Sequence, residues 1–145
     1  MNEKDRASDE AAIRNLIGNH FEAMKWSPEE QADWSVFAAD FLPGATLFPA
    51  ARPVSPKSVE QFIDRMKVVA EDVLHRFEEH TKGMEVLVFG NVAIVLAASE
   101  MLENGTDVNR DVSGYLLLKN EGTWKIAAHA WDKATQDMLV PEHLL

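Results

Sequence analysis

The chain has 145 residues, 46% apolar and 26% charged, which fits one soluble domain with a core of its own. Its net charge of −10 argues against a nucleic-acid partner, because binding a phosphate backbone needs a basic face. With no cysteine there is neither a disulfide framework nor a thiolate site, and no stretch approaches the roughly 18 apolar residues of a membrane span.

The N-terminus, MNEKDRASDE, is charged and carries no signal-peptide pattern, so a cytoplasmic protein is expected. A single domain is expected over 1–145, with 1–8 and 135–145 as peripheral tails.

Ser8 can cap a first helix, with Asp9 and Glu10 in its first turn. Ile13, Leu16, Ile17, His20, Phe21 and Met24 then form one stripe at helical spacing. Ser27-Pro28-Glu29-Glu30 has the form of a capping box and predicts a second helix with Trp34, Phe37, Ala38 and Phe41 inward, stopped by Pro43-Gly44. A short strand is expected over Ala45–Ala50. Ser55-Pro56, or Ser58 with Gln61, starts a third helix whose stripe is Val59, Phe62, Ile63, Met66, Val69 and Ala70.

The second half reads as strands. One is expected from Leu74 to Phe89, broken by a bulge near Thr81–Gly83. Gly90-Asn91 and Asn104-Gly105 are hairpin signals that bound a strand at Val92–Leu102. Val108–Lys119, a turn at Asn120-Glu121-Gly122, and Trp124–Trp131 complete an antiparallel meander. Val92, Ile94 and Leu96 alternate with Ala93, Val95 and Ala97, so this strand is apolar on both faces and needs cover on both. Helices can cover one face, and a second copy of the chain is expected on the other. The class is α+β.

These elements resemble, in order and spacing, the nuclear transport factor 2-like superfamily, in its SnoaL-like and ketosteroid-isomerase-like branch. The resemblance rests on the first helix to Met24, on WSVFAADFLPGATL (Trp34–Leu47), on Phe89-Gly90-Asn91-Val92-Ala93, and on Gly122-x-Trp124-x-Ile126 leading to Trp131. It implies a strongly curved sheet wrapped around three N-terminal helices as a cone with an interior pocket, and a homodimer through the sheet's outer face.

Fold alone does not give function. The ketosteroid-isomerase base would fall at Phe48-Pro49, its oxyanion-hole aspartate near Gly114, and its oxyanion-hole tyrosine near His20. That chemistry is therefore not expected, and the Asp-Arg-Asp set of limonene-epoxide-hydrolase-like members is not found.

The resemblance places the residue equivalent to Trp131 on the pocket wall. Strand alternation then turns Ala127, His129 and Trp131 inward, and Trp124, Ile126, Ala128 and Ala130 outward. His129 would face His20, and these two are the candidate catalytic pair. Arg110 shares strand parity with Gly114 and is read as a possible inward residue; its plainer reading is a strand-end salt bridge. Trp34, Phe37, Phe48, Phe62 and Met66 are candidate wall or core residues, Asp40 is read as a turn residue, and Tyr115 and Glu100 are weaker candidates.

No metal-ligand spacing, phosphate loop, nucleophile elbow or dinucleotide motif is present, so neither metal nor cofactor is expected. Three functions stay open. One is an isomerase, cyclase or dehydratase acting on a small apolar molecule. The second is a non-catalytic ligand binder. The third is a dimeric scaffold whose cone is filled by its own side chains.

Overall fold

The computed structural model describes residues 2–145; Met1, included in the expected single domain, lies outside the described residues. Three helices lead into long strands: α1 (Glu3–Asn19), α2 (Trp34–Ala39), β1 (Phe41–Phe48), β2 (Lys57–Ser58), α3 (Val59–Asp72), β3 (Phe77–Phe89), β4 (Val92–Glu103), β5 (Asp107–Asn120) and β6 (Thr123–Lys133). The sheet is curved and unclosed, ordered β2-β1-β6-β5-β4-β3. Among the described residues only β1 and β6 pair in parallel; the other neighbours are antiparallel. This is the expected α+β cone.

Local chemistry explains the element starts. α1 begins earlier than Ser8, because the Asn2 side chain accepts from the Asp5 N–H and caps it. Asp9 is thus not a first-turn residue. It is buried mid-helix and accepts from Trp124 Nε1 at 3.1 Å and Lys119 Nζ at 3.0 Å, which ties α1 to the sheet. Lys119 holds its carboxyl below the usual range.

The helix expected at Ser27 is also displaced. Trp26 pairs with Phe77 through their backbones, and Ser27 and Glu30 exchange backbone bonds in a tight loop. Asp33, whose side chain accepts from the Val36 N–H, caps α2 instead. α2 ends at Ala39, so Pro43-Gly44 falls inside β1, where the register against β6 is irregular. Of the two starts the sequence offered for α3, the structure has the Ser58–Gln61 capping box and not Ser55-Pro56.

The meander follows its turn signals. Asn104, Gly105, Glu121 and Gly122 all take positive φ, as tight hairpin turns require. The β3–β4 register shifts between Thr81 and Met84, where the bulge was expected.

On β4, Ala93, Val95 and Ala97 are buried while Val92, Ile94 and Leu96 are exposed. The concave face closes over Ile13, Ile17, Phe21, Phe37 and Phe62 from the helical side. No helix among the described residues is long and apolar enough to cross a membrane.

Candidate functional site

Two histidines meet inside the cone. α1 continues into a 3-10 turn at His20–Ala23, which carries His20 over the concave face of the sheet. His129 rises from β6. Both are almost fully buried, and their ring centroids lie 6.4 Å apart.

Each ring is held at one nitrogen. His20 Nδ1 lies 2.7 Å from Asp40 Oδ2. A carboxylate only accepts, so Nδ1 carries the hydrogen and donates it. His129 Nε2 lies 2.8 Å from Ser113 Oγ. The second nitrogens, His20 Nε2 and His129 Nδ1, are buried without a partner among the described residues. Asp40 is therefore more than the turn residue its sequence position suggested: it closes α2 and orients His20.

Aromatic rings enclose the pair. Tyr115 stacks on His129 at 4.2 Å and Phe37 stacks on His20 at 4.7 Å. Trp131 lies 4.8 Å from His129 and 5.7 Å from Phe62, and Phe37 lies 5.8 Å from Phe62. In this setting burial, and then the neighbouring His20, hold the His129 pKa well below its ordinary value. His129 is neutral at neutral pH.

Strand parity placed His129 and Trp131 inward, as expected, but for an incomplete reason. Leu116 pairs with Ala128 while Leu117 pairs with Ile126, so Ala127 is an extra residue in β6. The bulge changes the parity. Trp124 and Ile126, expected outward, are buried inside before it; after it His129 is buried and Trp131, half-buried, packs against the core. Ala127 is the bulged residue between these two inward pairs.

Other candidates separate. Phe37 and Phe62 are buried beside the histidines, and Trp34 and Met66 pack against the same core. Phe48 follows buried Leu47 on β1 and takes the opposite face. On β5 the inward residues are Asp111, Ser113, Tyr115 and Leu117. Arg110 and Gly114 therefore have outward parity, which corrects the reading of Arg110 as inward. Arg110 pairs with Glu100 across the strands, Nε to Oε2 at 3.0 Å. A Cβ added at Gly114 would meet nothing within 4 Å.

Sequence reasoning missed a polar cluster on the concave face. Glu79 on β3, Ser99 on β4 and Asp111 and Ser113 on β5 are all buried. Their signal was present: a hairpin at Asn104-Gly105 sets Ser99 opposite Asp111, and both are polar on otherwise apolar inward positions.

Clefts open elsewhere on the molecule. One of about 390 Å³ lies between the Trp26–Trp34 segment and α3, with Lys67 and His75 at its edge. Another, of about 510 Å³, lies between β1 and the start of α3.

No family model matches the chain, and no curated protein does. Solved structures do match. A scytalone dehydratase-like protein from Novosphingobium aromaticivorans superposes with a TM-score of 0.73 at 11% identity, covering 97% of this chain and 94% of that one. An NTF2-like protein of unknown function from Shewanella baltica gives 0.61 at 17% identity, covering 90% and 97%. The chain has the nuclear transport factor 2-like fold. A type 2 hexachlorocyclohexane dehydrochlorinase, LinA, matches with a TM-score of 0.68 at 13% identity, over 97% of this chain and 99% of that one. At such identities the likeness is one of fold.

Proposed function

We propose that this NTF2-like chain binds a small, mostly apolar molecule inside its cone and performs acid–base chemistry on it with His20 and His129. One observation carries the reading. Two buried imidazoles lie edge to face with centroids 6.4 Å apart, each anchored at one nitrogen, with the other nitrogen buried and unpartnered among the described residues. Leaving such a group unpaired costs about 1–3 kcal/mol, so an atom of a bound molecule is the natural partner.

The roles follow from the anchors. With its Nδ1–H committed to Asp40, His20 offers the Nε2 lone pair as a base, and Asp40 stabilises the imidazolium that forms. His129, neutral through burial, passes or receives a proton on the opposite side. This suits proton removal followed by isomerisation, cyclisation or loss of a leaving group. Two fold neighbours are named for eliminations, a dehydratase and a dehydrochlorinase, which adds weight by analogy of fold only.

A second reading is favoured by the rings themselves. Phe37, Phe62, Tyr115 and Trp131 approach the histidines and one another at contact distance, as they would in a filled, non-catalytic cone. The chain is also proposed to form a homodimer through Leu87, Phe89, Val92, Ile94, Leu96 and Leu116, which lie exposed on the outer face of the sheet.

Native mass spectrometry of gently purified protein, with released small molecules identified, separates the two readings. A discrete apolar adduct that is converted by the native chain, and not by His20→Ala or His129→Ala, supports the catalytic one. An adduct converted equally by both variants ends it. A chain that carries and captures nothing supports the filled cone.

A further inference from the structure

We propose that Glu79, Ser99 and Asp111 form a proton-holding relay on the concave face, which keeps one extra proton inside the protein at neutral pH and shares it between two carboxyls. Ser99 Oγ lies 2.6 Å from Glu79 Oε2 and 2.6 Å from Asp111 Oδ1. All three side chains are more than nine-tenths buried.

The hydrogens available around Ser99 decide its protonation pattern. A serine hydroxyl has one. It can donate to one carboxylate, and it bonds to a second only by accepting. The second carboxyl must then supply its own hydrogen, as a carboxylic acid. Both contacts have the short length of an O–H···O bond to a charged or strongly polarised partner. Two ionised carboxylates around Ser99 would leave one contact between lone pairs only.

Electrostatics identify which group keeps the proton. Burial, then the charge of Asp111, push Glu79 up to about 8. Burial also raises Asp111, but Lys133, its register partner on β6, opposes that rise. Glu79 is the acid and Asp111 the carboxylate. The other facing groups agree. Glu103 adds like charge near Glu79, and Tyr115, pushed far up by burial above all, stays a neutral phenol.

Transfer along the relay balances. The Glu79 Oε2–H bond breaks as Ser99 Oγ takes that proton, and Ser99 passes its own hydrogen to Asp111 Oδ1. Glu79 becomes the carboxylate, Asp111 the acid, and the total charge is unchanged.

An independent feature shows where this proton is useful. Asp111 and Ser113 are successive inward residues of β5, and Ser113 holds His129, whose Nδ1 is buried and unpartnered. With both hydrogens committed to the Ser99 contacts the relay offers a bound molecule no donor of its own, but it sets the charge of this wall at one carboxylate instead of two. Its bearing on a bound molecule rests on the function proposed above; the relay itself does not.

The test is a carbon-13 carboxyl titration of the whole, ligand-free chain from about pH 4 to about pH 10, with Glu79→Gln and Asp111→Asn to assign the two signals. The relay requires one carboxyl to be protonated at neutral pH, and both carbons to shift together as the proton leaves near pH 8. In Ser99→Ala the two carbons should respond separately. Ionised shifts for both carbons at neutral pH in the native chain overturn the proposal, whatever the variants do. A protonated Glu79 beside histidines that play no part in conversion would keep the relay and end the histidine reading. Ionised carboxyls with histidine-dependent conversion would do the reverse.

Discussion

His20 and Asp40 are joined by a 2.7 Å bond that brings the end of the first helical segment onto the end of the second. It fixes the ring over the sheet and decides which nitrogen faces inward. Asp40→Asn should therefore act on orientation before it acts on the fold. Ring nitrogen NMR is expected to show one His20 tautomer in the native chain and a mixture in the variant. Urea unfolding should register a loss of about 1.5–3 kcal/mol, the range for a hydrogen bond to a charged group. An unchanged tautomer would mean that something other than Asp40 orients the ring.

Stability should depend on pH through two buried groups of opposite sense. Glu79 has a folded pKa near 8 against an ordinary 4.5. The folded chain keeps a proton that the unfolded chain has lost across that window, so this contribution is full below 4.5 and is lost as pH rises through about 8. For His129 the folded pKa is depressed below 6.5, so its contribution is present above 6.5 and is lost as pH falls. Unfolding free energy should be highest between the two losses. Glu79→Gln should flatten the alkaline limb, with a gain on the order of a few kcal/mol above pH 8. A native-like alkaline limb in that variant would place the titrating group elsewhere.

Ala127 should be intolerant of deletion although it is only an alanine. Without the bulge, β6 returns to strict alternation, and either Trp124 and Ile126 or His129 and Trp131 must leave the interior. Losing one such pair corresponds to more than about 3 kcal/mol, from the usual cost of emptying large core positions. Denaturant unfolding of the deletion is the measurement. Ala127→Ser, which keeps the extra residue, should stay close to the native value.

Gly83 and Leu144 are coupled across the sequence. A Cβ added at Gly83 would lie 2.7 Å from the Leu144 carbonyl carbon, and Leu144 is fully buried there. Gly83→Ala should lift the 3-10 turn Glu142–Leu144 off β3 and destabilise by about 1–3 kcal/mol, as overpacking does. Once the turn is lifted, Leu144→Ala should add little. Additive costs in the double variant would show that the turn stays docked.

The apolar outer face should make the protein a dimer at micromolar concentration, and Ile94→Arg should make it a monomer with its fold intact. Sedimentation and circular dichroism test both. A native monomer would leave the exposed row of Leu87, Phe89, Ile94 and Leu96 without the proposed cover.

Features that depend only on neighbours along the chain were legible in the sequence. The Ser58–Gln61 capping box, the Asn104-Gly105 and Glu121-Gly122 turns, the bulge before Met84 and the alternation on β4 are all local, and the structure has each of them. Their order was enough for the α+β class, and the cone was implied by the family resemblance they carry. Tertiary structure decided the rest, because those choices compare groups far apart in the chain. Asn2 and Asp33 prevailed as caps over Ser8 and Ser27 because buried Asp9 is held by Trp124 and Lys119, and Trp26 pairs with Phe77. The extra residue in β6 was settled by its pairing with β5, which no single strand reveals. Glu79, Ser99 and Asp111 became one polar unit only when three strands lay side by side. A proton is shared over 2.6 Å, and that proximity is made by the sheet, not by sequence spacing.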